Sequence, residues 1–237
     1  MKMIKKIWIF LLVVVVACQP EQSDVPFRLE LRVLKLELAI LSQDHDMITL
    51  LSDEVSELYK DKVTLNEGSL QEFNELITTL QNSKAEENEF TYLQKLKETV
   101  LDIPVDAAAR DEHLDALMVY GNHLILATET ARDVMMDRYE WNEFASQADA
   151  LKESWDLLED RQPSIELLRF NDEKVETQIR LFDMLRQSMR DFINSIEQGN
   201  ATTYDLCSNA DVLRDHYINY LKMLTSVSSQ DQEEILQ

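Results

Sequence analysis

Three glycines serve 237 residues, at positions 68, 121 and 199, and no two of them are neighbours. Average usage is about 7% glycine, several times what this chain carries. A glycine-rich loop of the kind that lets backbone amides cradle a phosphate or a dinucleotide therefore has nowhere to form, which excludes Walker and Rossmann sites. Tight β-hairpins lean on glycine and Asn-Gly pairs, so an all-β fold is disfavoured as well. The chain that remains is all-α.

Apolar spacing agrees. Phe27, Leu31, Leu34, Leu38, Leu41, His45, Ile48, Ser52, Val55 and Tyr59 alternate at intervals of four and three, the signature of one helical face. This predicts a first helix over 26–62. Ser69–Glu72 has the form of a capping box, and Leu70, Phe73, Ile77 and Leu80 follow at helical spacing. A second box at Ser83–Glu86 restarts the pattern, which Phe90, Leu93, Leu96 and Val100 carry towards Pro104. Asp106 is a good N-cap for the next stretch. There Leu114, Leu117, Met118, Gly121, Ile125, Thr128 and Met135 share a face, followed out of phase by Trp141, Phe144, Ala148, Leu151, Trp155 and Leu158. Residues 106–160 thus read as one bent helix or as two, with the break near 136–140. Val175, Ile179, Phe182, Leu185, Met189, Phe192 and Ile196 form the face of another helix, capped by Asn171 or Asp172 and closed by Gly199-Asn200. Thr202 caps the last, with Leu206, Ala210, Leu213, Tyr217, Tyr220 and Leu224 buried. Five to six amphipathic helices with short connections predict an elongated antiparallel bundle over residues 27–226, followed by a polar tail at 227–237.

The N-terminus carries the most specific motif. Lys2, Lys5 and Lys6 precede an apolar run from Ile7 to Ala17. That run is too short to span a membrane, which takes about 20 apolar residues, and has the length and flanks of a secretory signal. Its end, Val15-Val16-Ala17-Cys18, resembles the lipobox of bacterial lipoproteins. The resemblance covers residues 1–18. It implies cleavage before Cys18, acyl chains on Cys18 that anchor the protein to a membrane, and a short tether over 18–26. Two or more acyl chains anchor stably where one is marginal. Gln19, rather than Asp, follows the cysteine, which in a Gram-negative host resembles the pattern of outer-membrane sorting. The expected location is the bacterial cell envelope.

Removal of residues 1–17 leaves 20 basic against 45 acidic residues, a net charge of −25. Nucleic acid is not an expected partner, because its binding needs a basic footprint. The charge suits a solvated body that meets cationic, neutral or divalent partners, or it serves solubility alone. With Cys18 acylated, Cys207 has no intramolecular partner for a disulfide.

Catalytic motifs are missing from the sequence, and no catalytic residue is assigned. GxSxG and HExxH do not occur, and the residues three before His45, His113, His123 and His216 are Ser42, Arg110, Tyr120 and Leu213. The Glu-x-x-His pattern of di-iron bundles is thus absent. His45 occupies a core position in the first stripe, and His216 borders the last. These two are the candidate metal ligands. Trp141-x-x-Phe144-x-x-x-Ala148-x-x-Leu151 resembles the third helix of cytochrome c-prime proteins, but the chain lacks CxxCH, so covalent haem attachment fails. Noncovalent haem would have to use His45 or Met47 with His216. The expected function is a non-catalytic binding or structural module with no cofactor and an unknown protein partner. The alternative is a periplasmic metal- or haem-binding bundle for uptake, storage or electron transfer.

Overall fold

A computed structural model describes residues 25–62, 67–82, 86–103, 110–135, 141–197 and 202–226. All regular structure among these residues is α-helical. The helices are α1 (Val25–Leu41), α2 (His45–Lys62), α3 (Glu67–Asn82), α4 (Glu86–Leu101), α5 (Glu112–Met135), α6 (Trp141–Glu159), α7 (Ile165–Leu168), α8 (Asp172–Glu197) and α9 (Thr203–Thr225).

The predicted first helix is in fact two. After Leu41 the backbone turns through Gln43, which takes a left-handed φ of 55°. Its amide donates to the Ile40 carbonyl at 3.0 Å, and that of Asp44 donates to Ala39 at 2.9 Å. These bonds satisfy carbonyls that a helix end leaves free. Asp44 then starts α2, its Oδ1 accepting from the Met47 amide at 3.1 Å. The turn contains neither Gly nor Pro, so nothing in composition marks it. The apolar stripe survives because Leu41 and Ile48 are both buried, but the helix is broken between them. His45 consequently lies exposed in the first turn of α2, which corrects its expected core position.

Other ends follow local chemistry. Asn171, not Asp172, caps α8, accepting from the Lys174 amide at 2.9 Å. Thr202 caps α9 in a reciprocal box with Asp205. Ser164 caps the short α7, which ends at Arg169 with φ 50°. Ser69 falls inside α3, which begins at Glu67. The Ser83 box, Asp106, the 136–140 break, Gly199-Asn200 and the 227–237 tail lie outside the described residues.

Packing joins the helices into two circuits. In the first, α1 touches α2, α2 touches α3, α3 touches α4, and α4 returns to α1. In the second, α5, α6, α8 and α9 contact one another in that order and close back on α5. Contacts of α1 with α5 and α9, and of α4 with α5, join the two. One apolar core runs from Phe27 to Leu224 through both circuits. In the second it is built on aromatic rings: Tyr120 lies 5.3 Å from Trp155 and 5.8 Å from Tyr217, and Phe182 lies 5.6 Å from Trp155 and 5.5 Å from Tyr220. Ring pairs at such separations add about 0.5–1.5 kcal/mol each beyond area burial. These aromatics fill the core and line no groove. Besides His45, two stripe residues are misplaced by periodicity alone. Trp141 is 46% exposed and Ile179 is 51% exposed. Gln178 turns inward instead of Ile179 and donates its amide to Tyr220 Oη at 3.0 Å, because a buried hydroxyl needs partners.

Between Leu29 and Leu41 only Lys35 and Leu38 are less than fully buried. A helix buried on all sides is central, and α1 is the element at which the two circuits meet, touching α2, α4, α5 and α9.

The capping box makes a direct prediction. Thr202→Ala removes both side-chain bonds with Asp205 and costs about 1 kcal/mol. Urea unfolding monitored by circular dichroism should show that loss, with an unchanged denaturant slope.

Candidate functional site

Central burial of α1 forces a question about its charges, because Glu30 and Glu37 are as inaccessible as the leucines beside them. They stand seven residues apart, on one face of the helix, and each meets a cation from another element.

Glu37 meets Lys97 of α4. Lys97 Nζ lies 2.7 Å from Glu37 Oε1, and both side chains are wholly buried. The ammonium also donates to the Met118 carbonyl of α5 at 3.3 Å. Burial pushes the Glu37 carboxyl up and the Lys97 ammonium down, and each partner's charge opposes that shift in the other. Tyr217 of α9 stands against the same carboxylate. Burial, followed by the Glu37 charge, raises the Tyr217 phenol well above its ordinary value, so it stays protonated. The crowding is possible only because residue 121 is glycine. A Cβ there would lie 2.1 Å from Tyr217 Oη and 2.6 Å from Glu37 Oε1. Glycine costs about 1 kcal/mol relative to alanine inside a helix, and here it lets four helices converge on one ion pair.

Glu30 meets Arg110, which precedes α5. Arg110 Nη1 is 3.7 Å from Glu30 Oε1 and 3.2 Å from Asp115 Oδ1. Its Nη2 donates to the carbonyls of Val100, Leu101 and Ile103 at 3.0, 2.9 and 2.8 Å, satisfying the end of α4. One guanidinium thus ties α1, α4 and α5 together. Burial, and then the neighbouring Asp115 charge, push the Glu30 carboxyl up to about 9, against the pull of Arg110. Glu30 is therefore neutral at pH 7.

Next to Arg110, Asp111 caps α5, its Oδ1 accepting from His113 N at 2.9 Å and Leu114 N at 3.2 Å. Its Oδ2 accepts from Ser164 N at 2.8 Å, which fastens the α6–α7 connection to the start of α5. His113 is fully buried. Its Nδ1 lies 2.9 Å from the Arg161 carbonyl, which can only accept, so that nitrogen carries the proton. Nε2 accepts from Tyr220 Oη at 2.7 Å. Burial lowers the His113 pKa, in keeping with a neutral ring between two partners.

The histidines singled out from sequence are not the ones the fold uses. His45 is exposed. His216 is half-buried on α9, and its Nδ1 lacks a hydrogen-bond partner. Among the described residues, no group of three or more His, Cys, Asp or Glu side chains is arranged to hold a metal ion. Cys18 lies outside the described residues. Cys207 is half-buried with its thiol 3.6 Å from the Ala131 carbonyl, and burial raises its pKa. Sequence reasoning missed Glu30, Glu37, Lys97 and Arg110 because 45 acidic residues offer no way to select two. The available signal was that ten of the fifteen residues from Phe27 to Leu41 are apolar, too many for one face of a helix that also carries Glu30 and Glu37.

Chemically the arrangement clamps helices. Its protons and charges face one another across α1, α4, α5 and α9. Two shallow depressions open elsewhere, one along α8 beside Ile179 and Met184 and one along α3 beside Leu70 and Asn74. Each is lined by a single helix, and neither reaches the buried charges.

Three outcomes are expected. Lys97→Met strands Glu37 and costs about 3–5 kcal/mol, whereas Glu37→Leu combined with Lys97→Met returns to within about 1 kcal/mol of the parent. Gly121→Ala costs about 1–3 kcal/mol by overpacking. Chemical denaturation of all four proteins measures both effects. The third outcome concerns pH. Folded Glu30 holds a proton that the unfolded chain releases near 4.5, so its contribution is complete below pH 4.5 and is lost as pH rises through about 9. Glu30→Gln should therefore lose less stability than the parent between pH 7 and the alkaline end of that window. His113 acts in the opposite sense, its contribution falling as pH drops below the ordinary histidine value of 6.5.

Compared with protein families, with curated proteins and with solved structures, the chain matches none.

Proposed function

We propose that the protein is a lipid-anchored module of a bacterial cell envelope that binds or braces a partner without catalysis, and that its helices run antiparallel in an elongated bundle. The observation that carries this reading is the use made of the interior polar groups. Lys97, Glu37, Asp111, His113 and Tyr220 each engage a group on a different element, so they join helices and face one another, away from solvent. The Cys18 motif supplies the anchor, with acyl chains as the membrane contact. The antiparallel arrangement is supported by paired contacts along neighbouring helices. Gln178 meets Tyr220 while Asp191 meets Asn209. Asp53 meets Gln81 while Ser56 meets Asn74.

The anchor has a simple test. Cys18→Ala should move the protein from the membrane fraction to the soluble fraction, and the parent's N-terminal peptide should carry acyl mass on Cys18. A parent peptide without acyl mass overturns the anchored reading. Near-stoichiometric iron, copper or zinc in protein extracted from its native membrane would replace the non-catalytic module with the metal or haem alternative.

A further inference from the structure

We infer that the end of the molecule where α1 begins faces the membrane, with Ile165 and Arg169 of the α7 turn and Arg28 of α1 touching lipid. The inference rests on the anchored reading above and adds which surface meets the bilayer.

Six residues separate Cys18 from Val25, the first residue of α1. Fully extended, that stretch reaches at most about 25 Å, so the acyl chains hold the start of α1 within about that distance of the headgroups. Glu30 lies five residues into α1, about 8 Å along its axis. It stands 3.7 Å from Arg110, whose neighbour Asp111 binds the Ser164 amide. Ile165 is the next residue. The chain of contacts therefore places the α7 turn at the tethered end. Ile165 is 50% exposed there, and Arg28 and Arg169 are exposed as well.

Charge does not oppose that end. Residues 160–174 carry Arg161, Arg169 and Lys174 against Asp160, Glu166, Asp172 and Glu173. That is a net of −1 over 15 residues, slightly less acidic than the mature chain at −25 over 220, so anionic headgroups repel this segment no more than the rest of the surface. An exposed isoleucine with an exposed arginine four residues on is suited to an interface whose outer layer is polar and whose inner layer is apolar. Tyr204 provides the contrast. It is 76% exposed and precedes Tyr220, the partner of His113, by 16 residues on α9, about 24 Å along the helix.

The test uses the full acylated chain carrying Cys207→Ala, with a spin label at Ile165→Cys or at Tyr204→Cys. The protein is reconstituted in vesicles of phosphatidylethanolamine with a minority of phosphatidylglycerol. Collision with a water-soluble nickel complex should fall severalfold at 165 on reconstitution, and collision with lipid-soluble oxygen should rise, while the label at 204 stays unchanged. Equal aqueous exposure of both labels, or shielding at 204 instead, overturns the inference. Mass analysis of the same samples separates the two failures. An acylated Cys18 with an aqueous label at 165 overturns the orientation alone, whereas an unacylated Cys18 overturns the anchor and the orientation with it.

Discussion

A carboxylate and an ammonium meet at 2.7 Å where water reaches neither, and the convergence of α1, α4, α5 and α9 depends on that contact. Removing both charges from water costs several kcal/mol per ion, and a well-packed apolar pair of similar volume is often as stable. We therefore read the pair as a device of register. Leucines along a helix buried on all sides can slide past their neighbours by a turn at modest cost, but Glu37 cannot leave Lys97 without being stranded. Gly121 belongs to the same device, since any side chain at that position would displace Tyr217 and Glu37. Arg110 repeats the arrangement seven residues away along α1, with a neutral Glu30 and the free carbonyls of α4.

The regular parts of this fold are legible in the sequence. Every residue assigned to the α9 stripe, from Leu206 to Leu224, is buried, and the Thr202 cap follows from one hydroxyl placed three residues before an aspartate. Where reading fails, a polar group has a tertiary reason. The α1–α2 turn passes through Gln43 in a left-handed conformation with no glycine to announce it, so a continuous stripe conceals two helices and His45 moves from core to surface. Gln178 enters the core in place of Ile179 because the Tyr220 hydroxyl is already there. Long-range partners of this kind leave no mark on local periodicity.

The candidate site is less legible still. His113, which no sequence motif singles out, is the buried histidine, held between the Arg161 carbonyl and Tyr220. Lys97 sits among the apolar positions of α4, where a single lysine is easily read as a surface residue. In the anchored reading proposed above, six residues separate Cys18 from α1, so a pull on its acyl chains would reach the helix that carries Glu30 and Glu37. Such a force would be borne by the Glu37–Lys97 pair, on which four helices converge, while exposed bridges such as Lys152 to Glu197 contribute little.

Native-state hydrogen exchange of the α1 amides tests this account most directly, because exchange reports the free energy of the smallest opening that frees each helix. If the buried pairs make α1 the element that the others depend on, its amides between Leu29 and Leu41 exchange only through global unfolding, as slowly as any in the protein. If α1 opens while α5 and α9 stay protected, it is a peripheral element, and the central claim is wrong.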